Sequence, residues 1–350
     1  MGMLMTDETG KRIAGALEMM SASSYAEMLD DYKSIQKIVR QGGAADVFAI
    51  GDQILTEYTA SDGVTKYAMP WDIVKFGDVT LEDGETVPGM FLQSHYATLE
   101  GVQFDHAENE KVTEETYQDG LTYYVPNGDS YTRLVAGTDY QVGDVISNRN
   151  TVHSAINDSS VNICRYGYNR WKHSAIRQWL NSDKAAGQWW TAQHTGDVAP
   201  DQLNTYRGFL AGLPAEFVEV LGKPKMTQAL NTVSEPDKTL TEEDTYDKMF
   251  LASLEQMYST PQVGSGKEGT YFDYWKRALG LTSPSSWHPT TYEAYKTYAL
   301  ENHNSAQGVR LRSAYRGYSC YTWNVYSGGN IGTYHYAYNA LRSAPVCVIC

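Results

Sequence analysis

Apolar residues along the chain recur at two periods, one of a helix and one of a strand, and the changeovers mark its organisation. Residues 7–40 read as helical. Within them Ser24-x-x-Glu27 is a capping box, whose hydroxyl and carboxylate reciprocally satisfy the orphan amides of a first turn. Tyr25, Met28, Tyr32, Ile35 and Val39 follow at 3,4,3,4 spacing, and Gly42-Gly43 supplies the stop. Two heptads fall short of a coiled coil, so this stripe is expected to pack on its own domain. The pattern then turns β-like over residues 47–58, 66–69, 73–76 and 79–92, the last broken by the turn Glu82-Asp83-Gly84-Glu85. Residues 105–160 are polar and turn-rich. Helical period returns over 171–181, where Ala175, Ile176, Trp179 and Leu180 share a stripe, and over 247–258 through Phe250, Leu251, Leu254 and Met257. Both predict core-facing helices. Pro- and Gly-bearing loops cover 259–269 and 283–289. With no internal repeat and no break in composition, the pattern predicts an α+β domain over 46–350 behind an N-terminal helical segment, 1–45.

Charge narrows the partners. The chain carries 28 Lys and Arg against 42 Asp and Glu over 350 residues, a net −14 that repels phosphate, so nucleic acid is not an expected partner. No run of 18 apolar residues exists, so membrane insertion is not expected either. Asp7 and Glu8 stand where a secretory signal needs positive charge, which argues against a Sec leader. Met1-Gly2-Met3-Leu4-Met5-Thr6 fits only the loose myristoylation pattern. Cys164, Cys320, Cys347 and Cys350 are too few and too scattered for a disulfide framework. Cys347-x-x-Cys350 reads as a hydrophobic strand end, with no second pair to complete a zinc site.

The last fifty residues differ from the rest. Residues 302–350 contain no Asp, Glu or Lys, and their only formal charges are Arg310, Arg312, Arg316 and Arg342. From Tyr315 to Tyr338, 15 of 24 residues are Tyr, Gly, Ser or Asn, the types a paratope favours. Tyrosine offers a large amphipathic contact surface with few rotors to freeze, while Ser, Gly and Asn give adaptable hydrogen bonding. A recognition surface and an inward-packed hairpin both fit this composition. Ser327-Gly328-Gly329-Asn330 is a turn, and Tyr334, Tyr336 and Tyr338 have the spacing of one strand face.

A resemblance separates the two. Phe48-Ala49-Ile50-Gly51-Asp52, the run from Ser174 to Asn181, the run from Asp247 to Ser253, Leu311-Arg312-Ser313 and Arg342-Ser343-Ala344-Pro345-Val346 occur here in order over residues 46–350. In this the chain resembles an uncharacterised bacterial and phage domain family with a C-type-lectin-like fold, akin to that of formylglycine-generating enzymes. Its members include target proteins of diversity-generating retroelements. The resemblance implies a variable region, about 312–342, in which adenine-derived codons diversify. That route yields Tyr, Ser, Asn, Gly and His but not Lys, Glu, Gln or Met, and residues 308–350 contain none of those four. It cannot yield Trp, so Trp323 is expected to be an invariant scaffold position. A surface that tolerates many sequences cannot supply the stability of the fold, so its side chains should face solvent from a backbone that other residues hold. The expected ligand-binding residues are Tyr315, Tyr318, Tyr321, Asn324, Tyr326, Asn330, Tyr334, His335, Tyr336 and Tyr338. The implied partner is a protein or glycan on a cell surface, met from a phage virion or the bacterial exterior. Self-association would run through the N-terminal helices.

Catalytic and metal chemistry find little footing. Gly264-Ser265-Gly266-Lys267-Glu268-Gly269 matches a dinucleotide string without the flanking strand and helix, and it lacks the Ser or Thr of a phosphate loop. The eight histidines include no H-E-x-x-H and no close pair. Asp105-His106 and Glu108 read as a solvated acidic loop ahead of a cation site. Glu235-Pro236-Asp237 is similar to the calcium loop of true C-type lectins, but Trp323-Asn324-Val325 lacks the acidic third residue of the partner motif. No catalytic residue, metal or cofactor is therefore expected. The alternatives are an enzyme on the same fold using Cys320 or Cys347 as a reactive thiol, and a structural phage protein.

Overall fold

The structure is a computed structural model, and it describes residues 32–111, 122–127, 130–147, 166–194, 196–234, 237, 240–287 and 290–350. Tyr25, Met28, the capping box at Ser24, His153, His288, Cys164 and Glu235 lie outside the described residues. The fold is α+β, dominated by two five-stranded sheets with a few short helices.

The first sheet runs in the order Gln53–Thr59, Lys66–Thr80, Thr86–Ser94, Val346–Ile349, Met249–Phe250, with every neighbour antiparallel. The β-like runs 66–69 and 73–76 are parts of one 15-residue strand. Its hairpin with Thr86–Ser94 turns where Glu82 to Glu85 predict, and Gly84 takes a φ of +89°. Val346–Ile349 lies inside this sheet and is buried at all four positions, so both faces of the sheet are covered there. The second sheet runs Ile331–Tyr336, Tyr321–Val325, Val309–Ala314, Ala340–Ser343, Val102–Gln103. Its Val309–Ala314 and Ala340–Ser343 neighbours are parallel. Between Ser343 and Val346 the chain passes from one sheet to the other, and the Pro345 carbonyl accepts from the Ser94 amide at 2.8 Å. Both ends of the Tyr-rich segment are thereby anchored in sheet interiors.

The helix Tyr32–Arg40 buries Tyr32, Ile35 and Val39, the predicted stripe, in the same core as Trp71 and Phe217. Tyr32 packs on Phe217 with ring centroids 5.1 Å apart, and Gln36 Nε2 donates to the Cys350 carbonyl at 2.6 Å. This apolar face is spent inside the domain, so the part of the N-terminal segment proposed for self-association that is described here packs on its own chain. Helix Ala175–Leu180 forms as expected: Ser174 caps it by accepting from the Arg177 amide, and Ala175, Ile176, Trp179 and Leu180 are buried.

Over 247–258 the expected helix does not form. Only Met249–Phe250 is regular there, paired as a strand with Val346–Ile349, and tight turns follow. Phe250, Leu251, Leu254 and Met257 are buried, but so are Ala252, Ser253, Glu255 and Gln256. Spacing cannot separate a one-sided stripe from a segment enclosed on all sides. Tertiary bonds then claim the backbone: the Arg312 amide donates to Ala252 O at 3.0 Å, and the Leu254 amide to Ser313 Oγ at 3.0 Å. Helix Asp273–Leu279, closed by Gly280 at a φ of +63°, is one that the apolar pattern does not predict.

Candidate functional site

The site begins with a hairpin. Strands Tyr321–Val325 and Ile331–Tyr336 pair antiparallel, with Tyr321 opposite Tyr336 and Thr322 opposite His335. Its turn is the predicted Ser327 to Asn330, closed by the Tyr326 amide on Asn330 O at 2.8 Å. Gly329 has a φ of +82°, and a Cβ there would fall 2.3 Å from Tyr292 O, so this corner admits only glycine.

On one face the rings form a continuous row. Tyr315 lies 5.5 Å from Tyr318, Tyr318 lies 5.2 Å from Tyr321, and Tyr321 stacks on its cross-strand partner Tyr336 at 4.6 Å. Tyr336 stacks in turn on Tyr166 at 3.9 Å with the planes 11° apart, and Tyr338 closes that end 5.9 Å from both. At the other end Tyr315 meets Trp323 at 5.7 Å, and Trp323 meets Trp287 at 4.7 Å. Tyr315, Tyr318, Tyr321, Tyr336 and Tyr166 are half-buried and Tyr338 is 36% exposed, whereas Trp323 is 2% exposed. The row is therefore anchored at Trp323 and wet along its length. Burial pushes the phenols of Tyr321 and Tyr336 up, so both remain hydroxyl donors at neutral pH.

The other candidates separate from this row. His335 follows the opposite pleat from Tyr336 and packs against Tyr326 at 5.6 Å, both half-buried. Asn330 is half-buried in the turn, and Tyr334 contributes to the strand Ile331–Tyr336. Asn324 departs from the expectation. It is 0% exposed, opposite Arg310 in the register, and neither carboxamide atom has a hydrogen-bond partner among the described residues. Alternation within the strand, with Tyr321 outward and a second layer behind, sends this side chain into the protein.

What holds the face comes from elsewhere. The buried carboxamide of Asn169 donates to Tyr318 O and Tyr321 O, each at 2.7 Å, and its amide to Ser319 O at 2.8 Å. Asn231 Nδ2 fixes Asn169 Oδ1 at 3.1 Å, and Asp237 accepts from Asn231 at 2.7 Å and from the Tyr168 hydroxyl at 2.5 Å. Arg310, 1% exposed, donates to Asn339 O at 2.6 Å, Tyr336 O at 3.1 Å and Thr322 Oγ1. Arg312 donates to Leu251 O at 2.8 Å, to Glu268 O and to Gln256 Oε1. Burial lowers these guanidiniums to about 9 and about 10, so both stay charged at neutral pH. Arg316 Nε donates to Leu230 O at 3.1 Å, and Arg342 forks onto Glu301 with two bonds of 2.7 Å. Each arginine of the acid-free segment thus braces the frame, leaving a neutral, hydroxyl-rich face. Sequence reasoning missed Tyr166 and Asn169, which lie about 150 residues upstream and carry no local signal.

His335 carries a pH signature. Burial and the Arg310 charge both hold its imidazole below the ordinary 6.5. It is expected to be neutral from about pH 6.5 upward. A ring-proton NMR titration should find its midpoint below that of an unperturbed histidine, and a midpoint above 6.5 would contradict this placement.

The described residues offer little for covalent chemistry. Cys320 and Cys347 are buried, with the Cys320 thiol pushed up to about 12 and that of Cys347 pushed well up, far from a thiolate at neutral pH. Among the described residues no three His, Cys, Asp or Glu side chains are grouped to hold a metal ion. Asp105 and Glu108 are not the solvated loop expected: both are buried, which pushes their carboxyls up. The loop around Gly264 is occupied by a carboxylate of the protein itself, since Glu255 accepts from the Gly266 amide at 2.8 Å.

The domain of unknown function DUF6273 matches residues 144–349, a stretch that contains every ring of the row and both buried arginines. No curated protein and no solved structure matches the chain.

Proposed function

The chain belongs to the DUF6273 family, and from that premise we propose that it is a non-enzymatic recognition protein that presents a diversifiable tyrosine face to a protein or glycan on a cell surface. The domain is read as C-type-lectin-like, and the face as the product of a diversity-generating retroelement acting on about 312–342. The carrier is read as a phage virion or a bacterial exterior. One observation carries the reading: among the described residues the backbone beneath the wet rings is held by buried side chains, Asn169 on Tyr318 O and Tyr321 O and Arg310 on Tyr336 O and Asn339 O. Display and support are separate sets of residues, as a variable surface requires. Trp323, the one residue of the stretch that adenine mutagenesis could not create, is the buried anchor of the row.

Sequencing the 3′ end of the gene across a population tests this directly. Variation should fall on the codons of Tyr318, Tyr321, Tyr326, Tyr336 and Tyr338 and spare Trp323, Arg310 and Arg312. A near-copy of that end should lie beside a reverse-transcriptase gene. Uniform sequence across the population, or variation spread evenly over buried and exposed codons, would remove the proposal. At the protein level, Tyr326→Ala should change the unfolding free energy by no more than about 0.5 kcal/mol. Tyr336→Ala, which breaks its stacks on Tyr321, Tyr166 and Tyr338, should cost about 1 kcal/mol more. Thermal unfolding of the two variants checks the difference.

A further inference from the structure

A second concavity lies away from the tyrosine row, between the helix Ala175–Leu180, the segment 210–219 and the turn at Tyr246 to Lys248. Its volume, about 750 Å³, falls within the range of small-molecule sites. Leu210, Leu213 and Val218 form an apolar wall, and the remainder is rimmed by charged side chains. Those charges are not equally spent. Arg177 is bonded to Asp247 at 2.8 Å, Glu219 to Lys33 at 3.2 Å, and Lys223 to Glu82 at 2.9 Å. Asp183 stands exposed on the rim. Lys248 differs: it is half-buried, its ammonium donates to Val218 O at 2.7 Å, and among the described residues it pairs with no carboxylate. Burial above all, and then the charge of Lys223, lower its affinity for a proton, and Glu219, which is bonded to Lys33, opposes this only in part.

We propose that this cleft is a binding site for a small organic carboxylate with an apolar body, seated with its carboxylate on Lys248 and its body against Leu210, Leu213 and Val218. The carboxylate adds an anionic acceptor to the neutral Val218 carbonyl that the ammonium already holds, in a partly dehydrated setting where a charge-assisted bond is stronger than on an open surface. Apolar contact with the wall adds the non-directional part of the affinity. Neutral polar ligands would leave the ammonium uncompensated, and long-chain polymers would exceed the volume. The site shares no residue with the tyrosine face, so its failure would leave the recognition reading untouched.

4-Phenylbutyrate is a suitable probe, with the uncharged 4-phenylbutyramide as its control. Calorimetry and two-dimensional NMR on the full chain should show one saturable site for the acid, with a dissociation constant in the millimolar range or tighter. The largest shifts should come from the amides of 213–219 and 246–248. The amide control should bind about tenfold more weakly, the loss of one charge-assisted bond. Lys248→Gln should lower the acid's affinity to that of the control, while Lys248→Arg, which keeps the cation, should retain it within about threefold. Comparing these two variants separates lost charge from lost packing, and equal melting temperatures would confirm that both fold. Equal affinity for acid and amide, shifts centred elsewhere, no saturation, or unimpaired binding by Lys248→Gln would each overturn the proposal.

Discussion

Arg312→Met should lower the free energy of unfolding by about 3–5 kcal/mol, the cost typical of removing one partner from a buried charged network. The guanidinium is 1% exposed and donates to Leu251 O, Glu268 O and Gln256 Oε1, so its loss strands acceptors that water cannot reach. It also removes the cation whose charge offsets the burial of Glu268, a carboxyl that accepts from Ser313 Oγ at 2.6 Å and from the Ala229 amide at 3.1 Å. Methionine fills part of the volume but offers no donor, which isolates the polar loss from a packing loss. Urea titration should show a lower midpoint with an unchanged slope. A loss under about 1 kcal/mol, ordinary for an arbitrary substitution, would mean that the guanidinium is not what holds these loops.

Asn169→Ala should be the most damaging change to the recognition face that touches none of its rings. One carboxamide holds Tyr315 O, Tyr318 O and Tyr321 O, and its removal takes a donor from three carbonyls and leaves Asn231 Nδ2 with Asp237 alone. At about 1–3 kcal/mol for each buried group left unsatisfied, a total loss near 3 kcal/mol is expected, because part of the loop can rehydrate. The sharper signature is local. Amide exchange over residues 315–321 should accelerate well before global unfolding, since that stretch leans on Asn169 for its shape. Asn169→Asp should be no better than alanine: the size is kept, but a carboxylate would face three carbonyl oxygens. If Asn169→Ala left both stability and exchange of this loop unchanged, the division between supporting and displaying residues would fail.

The parts legible in the sequence are those decided within a few residues. Ser174 followed by an apolar stripe specifies the helix Ala175–Leu180, because a cap and a one-sided face are local properties. Glu82 to Glu85 and Ser327 to Asn330 turn where small and polar residues cluster. Residues 247–258 were illegible for the opposite reason. Their apolar spacing matches a helix, yet Ser313 and Arg312, some sixty residues later, claim their backbone groups and leave turns. The same limit governs the candidate site. Tyr318 and Asn324 are equally suited to a binding surface by composition, and one is half-exposed while the other is sealed.

By itself the sequence determined the chemistry of the face: neutral, rich in phenol and hydroxyl, free of acids and lysines, and bounded by segments apolar enough to lie inside sheets. It also determined the short elements whose starts and stops are set by neighbouring residues. Only the tertiary structure decided which tyrosines join one row, that Tyr166 completes it, and that Asn169, Arg310 and Arg312 carry the load beneath. The reason is that whether a side chain on a strand is wet depends on what packs behind that strand. Here the packing comes from residues as distant as Asn169 from Tyr321, 152 positions, and Tyr166 from Tyr336, a separation no local pattern records.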